Sequence, residues 1–337
     1  MDVDQHTSLA NQSLRITATG LVVDGDSPIH CLVRFVDTIL RGVGQVMLQN
    51  NSFAGLIFLI GIFYNSVLFG TAVLIGTAAS TTTAMLLAVD RAQIRQGLFG
   101  FNGALVAIAL LYFLEPNLLT WGYVVVACSF STILMAASLN LFNILKLPTL
   151  TAPFIFTTLC FVLACARFGR LHSTNQLPTA GLPQSASVEG IVTVSTVVEG
   201  LFNGIAQVFF QGNVITGVIF AIALLISSRL AFVMALVGSF TGVLVAWGMG
   251  AAEPAIRSGA FGFNSVLTAI AIGSVFFILD AASAIYGLLA VITTAVAFAA
   301  ISAALQPIGM PAMTAPFVIV VWLFVLASPM FPRLRHT

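Results

Sequence analysis

Long apolar stretches separated by short polar ones follow one another along most of the chain. Because about 20 apolar residues cross the hydrocarbon core of a bilayer, this pattern predicts ten spans. Five lie in the first half, near 52–66, 67–89, 97–114, 118–138 and 151–168. Five lie in the second half, near 213–228, 230–251, 260–279, 281–300 and 314–331. A shorter segment with charged residues precedes each set, at 30–48 and 190–210. Both suit helices that enter the membrane part-way and turn back, buried in protein.

The two halves repeat one another at a nearly constant offset. Residues 95–109 and 257–271 are identical at ten of fifteen positions around the tripeptide GFN, at an offset of 162. Residues 42–55 and 204–217 match at six of fourteen positions, and PTLTAPF at 148–154 recurs as PAMTAPF from residue 311. Three blocks in the same order indicate a duplicated unit. Since five crossings is an odd number, the second copy is expected to be inverted, which puts a shared site near the bilayer midplane.

The composition agrees with an all-α integral membrane protein. Hydrophobic residues make up 59% of the chain, charged residues 7%, and the mean hydropathy is +1.08, whereas soluble domains carry roughly 25% charged residues. With a net charge of +1, the chain has no excess of positive charge that would attract nucleic acid.

One side of the predicted topology carries nine basic residues: Arg15, Arg34, Arg41, Arg91, Arg95, Lys146, Arg229, Arg333 and Arg335. The other carries three: Arg167, Arg170 and Arg257. The imbalance predicts a multi-pass protein of the cell (inner or plasma) membrane with both termini in the cytoplasm.

Five parts follow from this pattern. Residues 1–29 form a polar cytoplasmic tail, residues 30–168 the first membrane repeat, and residues 169–189 a linker. Residues 190–332 form the second membrane repeat, and residues 333–337 a short cytoplasmic tail.

The chemistry available within the spans is neutral. No hydrolase, metalloprotease or phosphate-binding motif is present, so no enzyme, metal or cofactor is expected. The acidic residues fall at span ends, and span centres without ionisable groups favour passive movement of a neutral solute. What recurs in both copies is neutral: Phe58/Phe220, Gln45/Gln207, Phe101/Phe263, Asn102/Asn264, Leu105/Leu267 and Thr151/Thr314. Such pairs can form two walls of one passage, with phenyl faces as a slot and hydroxyls as uncharged hydrogen-bonding groups.

Several repeated residues have structural interpretations. Asn102 and Asn264 are expected to hold backbone groups together, and Asp37 and Glu199 to cap or pair. The glycines of the GFN blocks are expected to allow close helix packing. Pro153 and Pro316 are expected to free carbonyl groups upstream, close to the repeated threonines.

The duplicated GFN, GxxQVxxQ and TAPF blocks resemble those of the urea transporters, over almost all of residues 30–332. The resemblance implies two inverted halves, each with about five transmembrane helices and one tilted re-entrant pore helix, assembled in lipid as a homotrimer with one pore per subunit. It assigns eleven residues to the pore: Gln45, Val46, Phe101, Leu105, Thr151, Gln207, Val208, Phe210, Phe263, Leu267 and Thr314. Leu48 departs from the family, which often has an aromatic residue there.

The function that this resemblance implies is passive, channel-like permeation of urea. Two alternatives stay open on the sequence. One is a channel for other small neutral solutes, such as short amides, ammonia or water. The other is an ion-coupled secondary transporter.

Overall fold

A computed structural model describes residues 14–23, 27–183 and 187–337. Parts of the predicted tail (1–13 and 24–26) and of the predicted linker (184–186) lie outside the described residues. The first half contains α1 (Pro28–Gln45), α2 (Ser52–Asn65), α3 (Val67–Leu86), α4 (Arg91–Arg95), α5 (Phe101–Phe113), α6 (Leu118–Leu145) and α7 (Ala152–Cys165). The second half contains α8 (Val194–Ala206), α9 (Val214–Ser227), α10 (Arg229–Gly248), α11 (Glu253–Arg257), α12 (Phe263–Ile270), α13 (Ala281–Leu305) and α14 (Ala315–Ala327). The predicted helical membrane character is therefore confirmed.

Within the described ranges, four helices are long and apolar enough to cross a bilayer alone: α3, α6, α10 and α13. The helices found at the other predicted spans are shorter. With 14 residues, α2 is about 21 Å long at 1.5 Å per residue, less than a bilayer core of about 30 Å. In the predicted span 97–114 the helix begins only at Phe101, because Gly97 has a φ of +75° and the residues between them form turns. Val194–Phe209 and Val214–Ser227 meet at 73°, so the predicted segment 190–210 is one arm of a sharp corner.

Equivalent polar residues start equivalent helices. The side chain of Asn51 accepts hydrogen bonds from Phe53 N (2.9 Å) and Ala54 N (3.1 Å) at the start of α2. At the start of α9, Asn213 accepts one from Thr216 N at 3.0 Å. These caps satisfy backbone N–H groups that have no partner within the helix. The repeat in sequence is therefore a repeat in local structure.

A β-hairpin occupies part of the predicted polar tail. Strands β1 (Leu14–Thr17) and β2 (Gly20–Val23) pair antiparallel. The hairpin is fixed to the first repeat, since Ser52 N donates to Thr19 O (3.0 Å) and Leu21 N donates to Asp37 Oδ1 (2.9 Å). Four-residue strands give too short an alternation to stand out in the sequence, so the tail prediction missed this element.

In both copies the residues after the last helix fold back on an earlier helix of the same copy. In the first copy, Glu115 N donates to His172 O (2.9 Å) and Thr174 N donates to Phe113 O (2.8 Å). In the second copy, Ile278 N donates to Arg335 O (2.8 Å) and Thr337 N donates to Phe276 O (3.2 Å), at an offset of 163. Residues just beyond the predicted boundaries at 168 and 332 are therefore docked on the helices of their own copy. Hydropathy missed these ends because FGRLHST and FPRLRHT, identical at four of seven positions, are polar.

The two halves pack together through α2 and α9. The rings of Phe58 and Phe220 meet edge to face, with centroids 5.2 Å apart, and Phe209 lies 5.9 Å from Phe58. All three rings are fully buried. The prediction that Phe58 and Phe220 line a passage is therefore wrong, because the two rings fill the core between the halves.

The predicted packing role of the glycines is confirmed. Gly97 and Gly259 have φ angles of +75° and +79°, and their backbones lie against those of Gly42 and Gly204. A side chain at either position would meet both a left-handed backbone and the neighbouring main chain.

Candidate functional site

Two threonine hydroxyls, one from each copy, meet in the buried interior of the protein. Thr151 and Thr314 directly precede α7 and α14, and their Oγ1 atoms lie 2.7 Å apart. Each residue is 3% exposed, and neither hydroxyl caps its helix. Because two hydroxyls carry two protons and their mutual bond uses one, the pair keeps one donor and several lone pairs for a solute.

The duplicated asparagines hold the helix starts that carry these threonines. Asn102 Oδ1 accepts from Phe154 N at 3.1 Å, and Asn264 Oδ1 accepts from Phe317 N at 3.2 Å. Asn264 also donates to Met313 O at 3.0 Å. Both asparagines are buried. The prediction that they tie backbone groups together is confirmed.

The prolines act differently from the prediction. Pro153 and Pro316 are the second residues of α7 and α14, where a missing N–H costs no intrahelical bond. They begin helices and do not interrupt running ones. A carbonyl group upstream of Thr151 also has a partner within the protein, since Trp322 Nε1 donates to Pro148 O at 2.8 Å.

The glutamines lie at the ends of α1 and α8 and make matching contacts, with Gln45 the last residue of α1 and Gln207 the residue after α8. Gln45 Nε2 donates to Gln96 O at 2.9 Å, and Gln207 Nε2 donates to Ser258 O at 3.3 Å. These bonds fix the amide nitrogens and leave each Oε1 as an acceptor. The next residues, Val46 and Val208, are buried.

The phenylalanine and leucine pairs lie one turn apart at the starts of α5 and α12. Phe101, Leu105 and Leu267 are buried. Phe263 is half-buried and meets the ring of Phe298 edge to face, with centroids 5.7 Å apart. Phe298 was not predicted as a site residue, because it lies on the long helix α13, where one aromatic residue among many apolar ones gives no signal.

A cavity of about 730 Å³ gathers part of the predicted set. Its lining includes Gln207, Val208, Phe210, Phe263 and Thr314. The other six predicted residues do not line it: Gln45, Val46, Phe101, Leu105, Thr151 and Leu267. Sequence reasoning missed several of its walls: Tyr112, Phe113, Phe154, Gln176, Pro178, Thr179, Phe298 and Met310. Among the described residues that line this cavity, none is charged.

Phe210 contributes an aromatic wall to this cavity. Its ring centroid lies 5.4 Å from Tyr112 and 6.4 Å from Phe154. Its backbone has a φ of +58°, and Leu48 at the equivalent position has a φ of +60°. Both residues close their turns, since Phe210 N donates to Gln207 O and Leu48 N to Gln45 O, each at 2.9 Å. The backbone corner is thus common to both copies and the aromatic ring is not.

A helical membrane protein whose two copies join neutral hydrogen-bonding groups to aromatic walls has the makeup of a solute transporter. The sequence model of the urea transporter family matches residues 36–329, and the chain belongs to that family. This result confirms the resemblance seen in the repeated blocks, and it agrees with the prediction that the protein is not an enzyme. Urea transporter 1 of Rattus norvegicus is 30% identical over 313 residues, covering 92% of this chain and 80% of that protein. Urea transporter 1 of Ovis aries is 30% identical over 306 residues, covering 90% and 79%. The Capra hircus protein of the same name is 29% identical over 306 residues.

Proposed function

We propose that the protein lets urea cross the membrane passively, down its concentration gradient, along a path that passes the paired hydroxyls of Thr151 and Thr314. The observation that carries this proposal is their direct contact at 2.7 Å in a buried, neutral setting. Membership of the urea transporter family supports urea as the solute.

Urea is planar and neutral, with four N–H donors and one carbonyl acceptor. Leaving water costs it hydrogen bonds worth about 1–3 kcal/mol each if nothing replaces them. The threonine hydroxyls and the Oε1 atoms of Gln45 and Gln207 can replace those bonds, while the rings of Phe101 and Phe263 contact the flat faces. Such neutral partners bind weakly enough to allow exit.

The same path offers little to ions. The described residues around the 730 Å³ cavity bear no charge, and coupled carriers keep an ionisable group at membrane depth. Flux is therefore expected to depend on the urea gradient alone.

The architecture in the membrane is part of the proposal. The two copies lie inverted with respect to each other, both termini face the cytoplasm of a cell membrane, and three subunits assemble, each with its own pore. Matching contacts throughout the two copies and the nine-to-three basic count support this arrangement. An engineered cysteine at Thr337 that reacts with an impermeant reagent from outside intact cells would refute the topology.

Stopped-flow urea efflux from proteoliposomes tests the function. Protein-containing vesicles should release urea faster than empty ones, at a rate unaffected by imposed sodium or proton gradients. A panel of formamide, acetamide, ammonia and water should permeate more slowly than urea. Flux that needs an ion gradient would mean a coupled transporter, and equal flux of all solutes would mean a general neutral channel.

A further inference from the structure

A second cavity, of about 930 Å³, lies between α1, the end of α3 and α4. Arg34, Arg91 and Arg95 line it, together with a single acidic residue, Asp90. Arg91 and Arg95 alone bring two positive charges to the lining, against the one negative charge of Asp90. The Asp90 carboxylate also accepts a hydrogen bond from Gln93 N at 3.2 Å, as the cap of α4. The cavity is therefore cationic.

The charge on α4 is not neutralised by the protein. In the part of the chain that the structure describes, no acidic side chain lies within 4.0 Å of the guanidinium group of Arg91 or Arg95. The nearby Asp37 is engaged with Arg41 at 2.6 Å. Arg91 and Arg95 are four residues apart, so both side chains can reach one anion.

At the equivalent position, the second copy of the repeat neutralises its arginine internally. At an offset of 162, Thr196 and Glu253 replace Arg34 and Arg91, whereas Arg95 recurs as Arg257. Thr196 Oγ1 donates to Glu253 at 2.6 Å, and Arg257 pairs with Glu253 at 2.7 Å and with Glu199 at 2.6 Å. The fold therefore tolerates a site that neutralises itself, and the cationic cavity of the first copy is not a requirement of packing.

Much of the rest of the lining is apolar and adjoins exposed apolar surface. Phe35, Met85, Val89 and Ile94 are among its walls, which also include Thr38 and Cys31. Beside them, Leu86 is 80% exposed and Leu87 is 59% exposed. Two cations next to an apolar wall match a phosphodiester joined to acyl chains.

We propose that this cavity binds the headgroup of an anionic phospholipid, with the phosphodiester between Arg91 and Arg95 and an acyl chain along Val89 and Leu86. A zwitterionic headgroup would bring its own cation into a cavity that already holds excess positive charge, so it should bind less well. Free inorganic phosphate offers the same charge without the apolar contacts.

The test uses Arg91→Glu, which copies Glu253 and gives Arg95 an internal partner four residues away. Because this arrangement already exists in the second copy, the variant should fold and conduct urea normally. Arg229→Gln is the control, an exposed arginine outside the cavity at the start of α10. Native mass spectrometry would compare binding of phosphatidylglycerol and phosphatidylcholine to each purified protein.

The unmodified protein and Arg229→Gln should retain phosphatidylglycerol at least tenfold better than phosphatidylcholine, and Arg91→Glu should lose that preference. Alkylation of Cys31, an exposed thiol in the lining, should slow when phosphatidylglycerol is added and be unaffected by it in Arg91→Glu. Retention of the preference in Arg91→Glu would overturn the proposal. Equal protection of Cys31 by millimolar inorganic phosphate alone would overturn the assignment to a lipid.

Discussion

The two copies of the repeat share the side chains that hydrogen-bond to buried backbone groups, and they differ in charged residues at equivalent positions. Asn102 and Asn264 accept from the same backbone position, 52 and 53 residues further on. At α4 and α11 the copies diverge, since Arg91 and Arg95 lie where the second copy has the ion pair of Glu253 and Arg257. The comparison teaches that the duplicated residues keep the same backbone supports in both copies, including those beside the proposed path, while other positions differ between the copies.

The largest effect on stability and flux is expected when one of the two equivalent asparagines is replaced. Asn264→Leu leaves Phe317 N–H and Met313 C=O unpaired, whereas Asn102→Leu leaves Phe154 N–H and the weakly accepting Met135 Sδ. At about 1–3 kcal/mol for each buried group left unpaired, Asn264→Leu should be the more destabilising of the two. Both should reduce urea flux, because the helix starts that carry the threonines would shift. Thermal unfolding in detergent and flux assays measure the two effects.

The exposed Asn143, near the end of α6, provides the matched control. Asn143→Leu should change neither stability nor flux. Equal melting temperatures for Asn102→Leu and Asn264→Leu would show that the bond of Asn264 to Met313 O contributes no more than the bond of Asn102 to Met135 Sδ.

A smaller effect is expected at the central hydroxyls. Thr151→Val and Thr314→Val each keep the shape of the side chain and remove one hydrogen-bonding group. A lost bond to urea of about 0.5–1.5 kcal/mol should slow flux about two- to tenfold per site, and the double variant should be slower still. Proteoliposome efflux measures the rates.

Thr293→Val is the control here, since Thr293 is exposed and bonds only to the carbonyl of Leu289 in its own helix. Unchanged flux in both central variants would make the pair a packing contact. The narrowest point would then have to lie at the phenylalanine and leucine pairs.

A gain in stability is expected when two buried threonines of the first copy are replaced by the valines found at the equivalent positions of the second copy. The buried hydroxyls of Thr157 and Thr158 have no hydrogen-bond partner among the described residues, and Val320 and Val321 occupy the equivalent positions. Thr157→Val and Thr158→Val should each stabilise the protein by about 1 kcal/mol, because a buried unsatisfied group is removed. Thermal unfolding measures the gain. A drop in urea flux would instead mean that these hydroxyls contact the solute.

The smallest effect is expected from pH. Hydrogen bonds from Thr196 and then Arg257 lower the pKa of Glu253, and the backbone N–H of Ser283 lowers that of Asp280 with help from Arg335. A lowered pKa adds stability that is present above the unfolded value, near 4, and is lost as pH falls through the folded value. Urea flux and melting temperature should therefore stay constant between about pH 5 and 8. A steep change there would require a titrating group on the path.

The sequence predicted what is duplicated better than what occurs once. The pairs Asn102/Asn264 and Thr151/Thr314 could be found because identical residues at a fixed offset narrow the choice of contacts. Gln176 and Thr179 could not, because the linker has no counterpart and its route over the cavity depends on tertiary packing. Hydropathy placed the helix at 97–114 but overestimated its length, since apolar content does not register the turn that Gly97 makes.

The helix starts at Thr151 and Thr314 have an electrostatic consequence. A helix carries roughly half a positive charge at its amino end, and α7 and α14 begin on either side of a contact only 2.7 Å wide. The two helix starts therefore bring positive potential to the threonine pair without any basic side chain. On the proposed path we expect ammonium, sodium and hydronium ions to meet a repulsive barrier at this point, whereas a neutral molecule with a carbonyl dipole should turn its oxygen toward both helix ends.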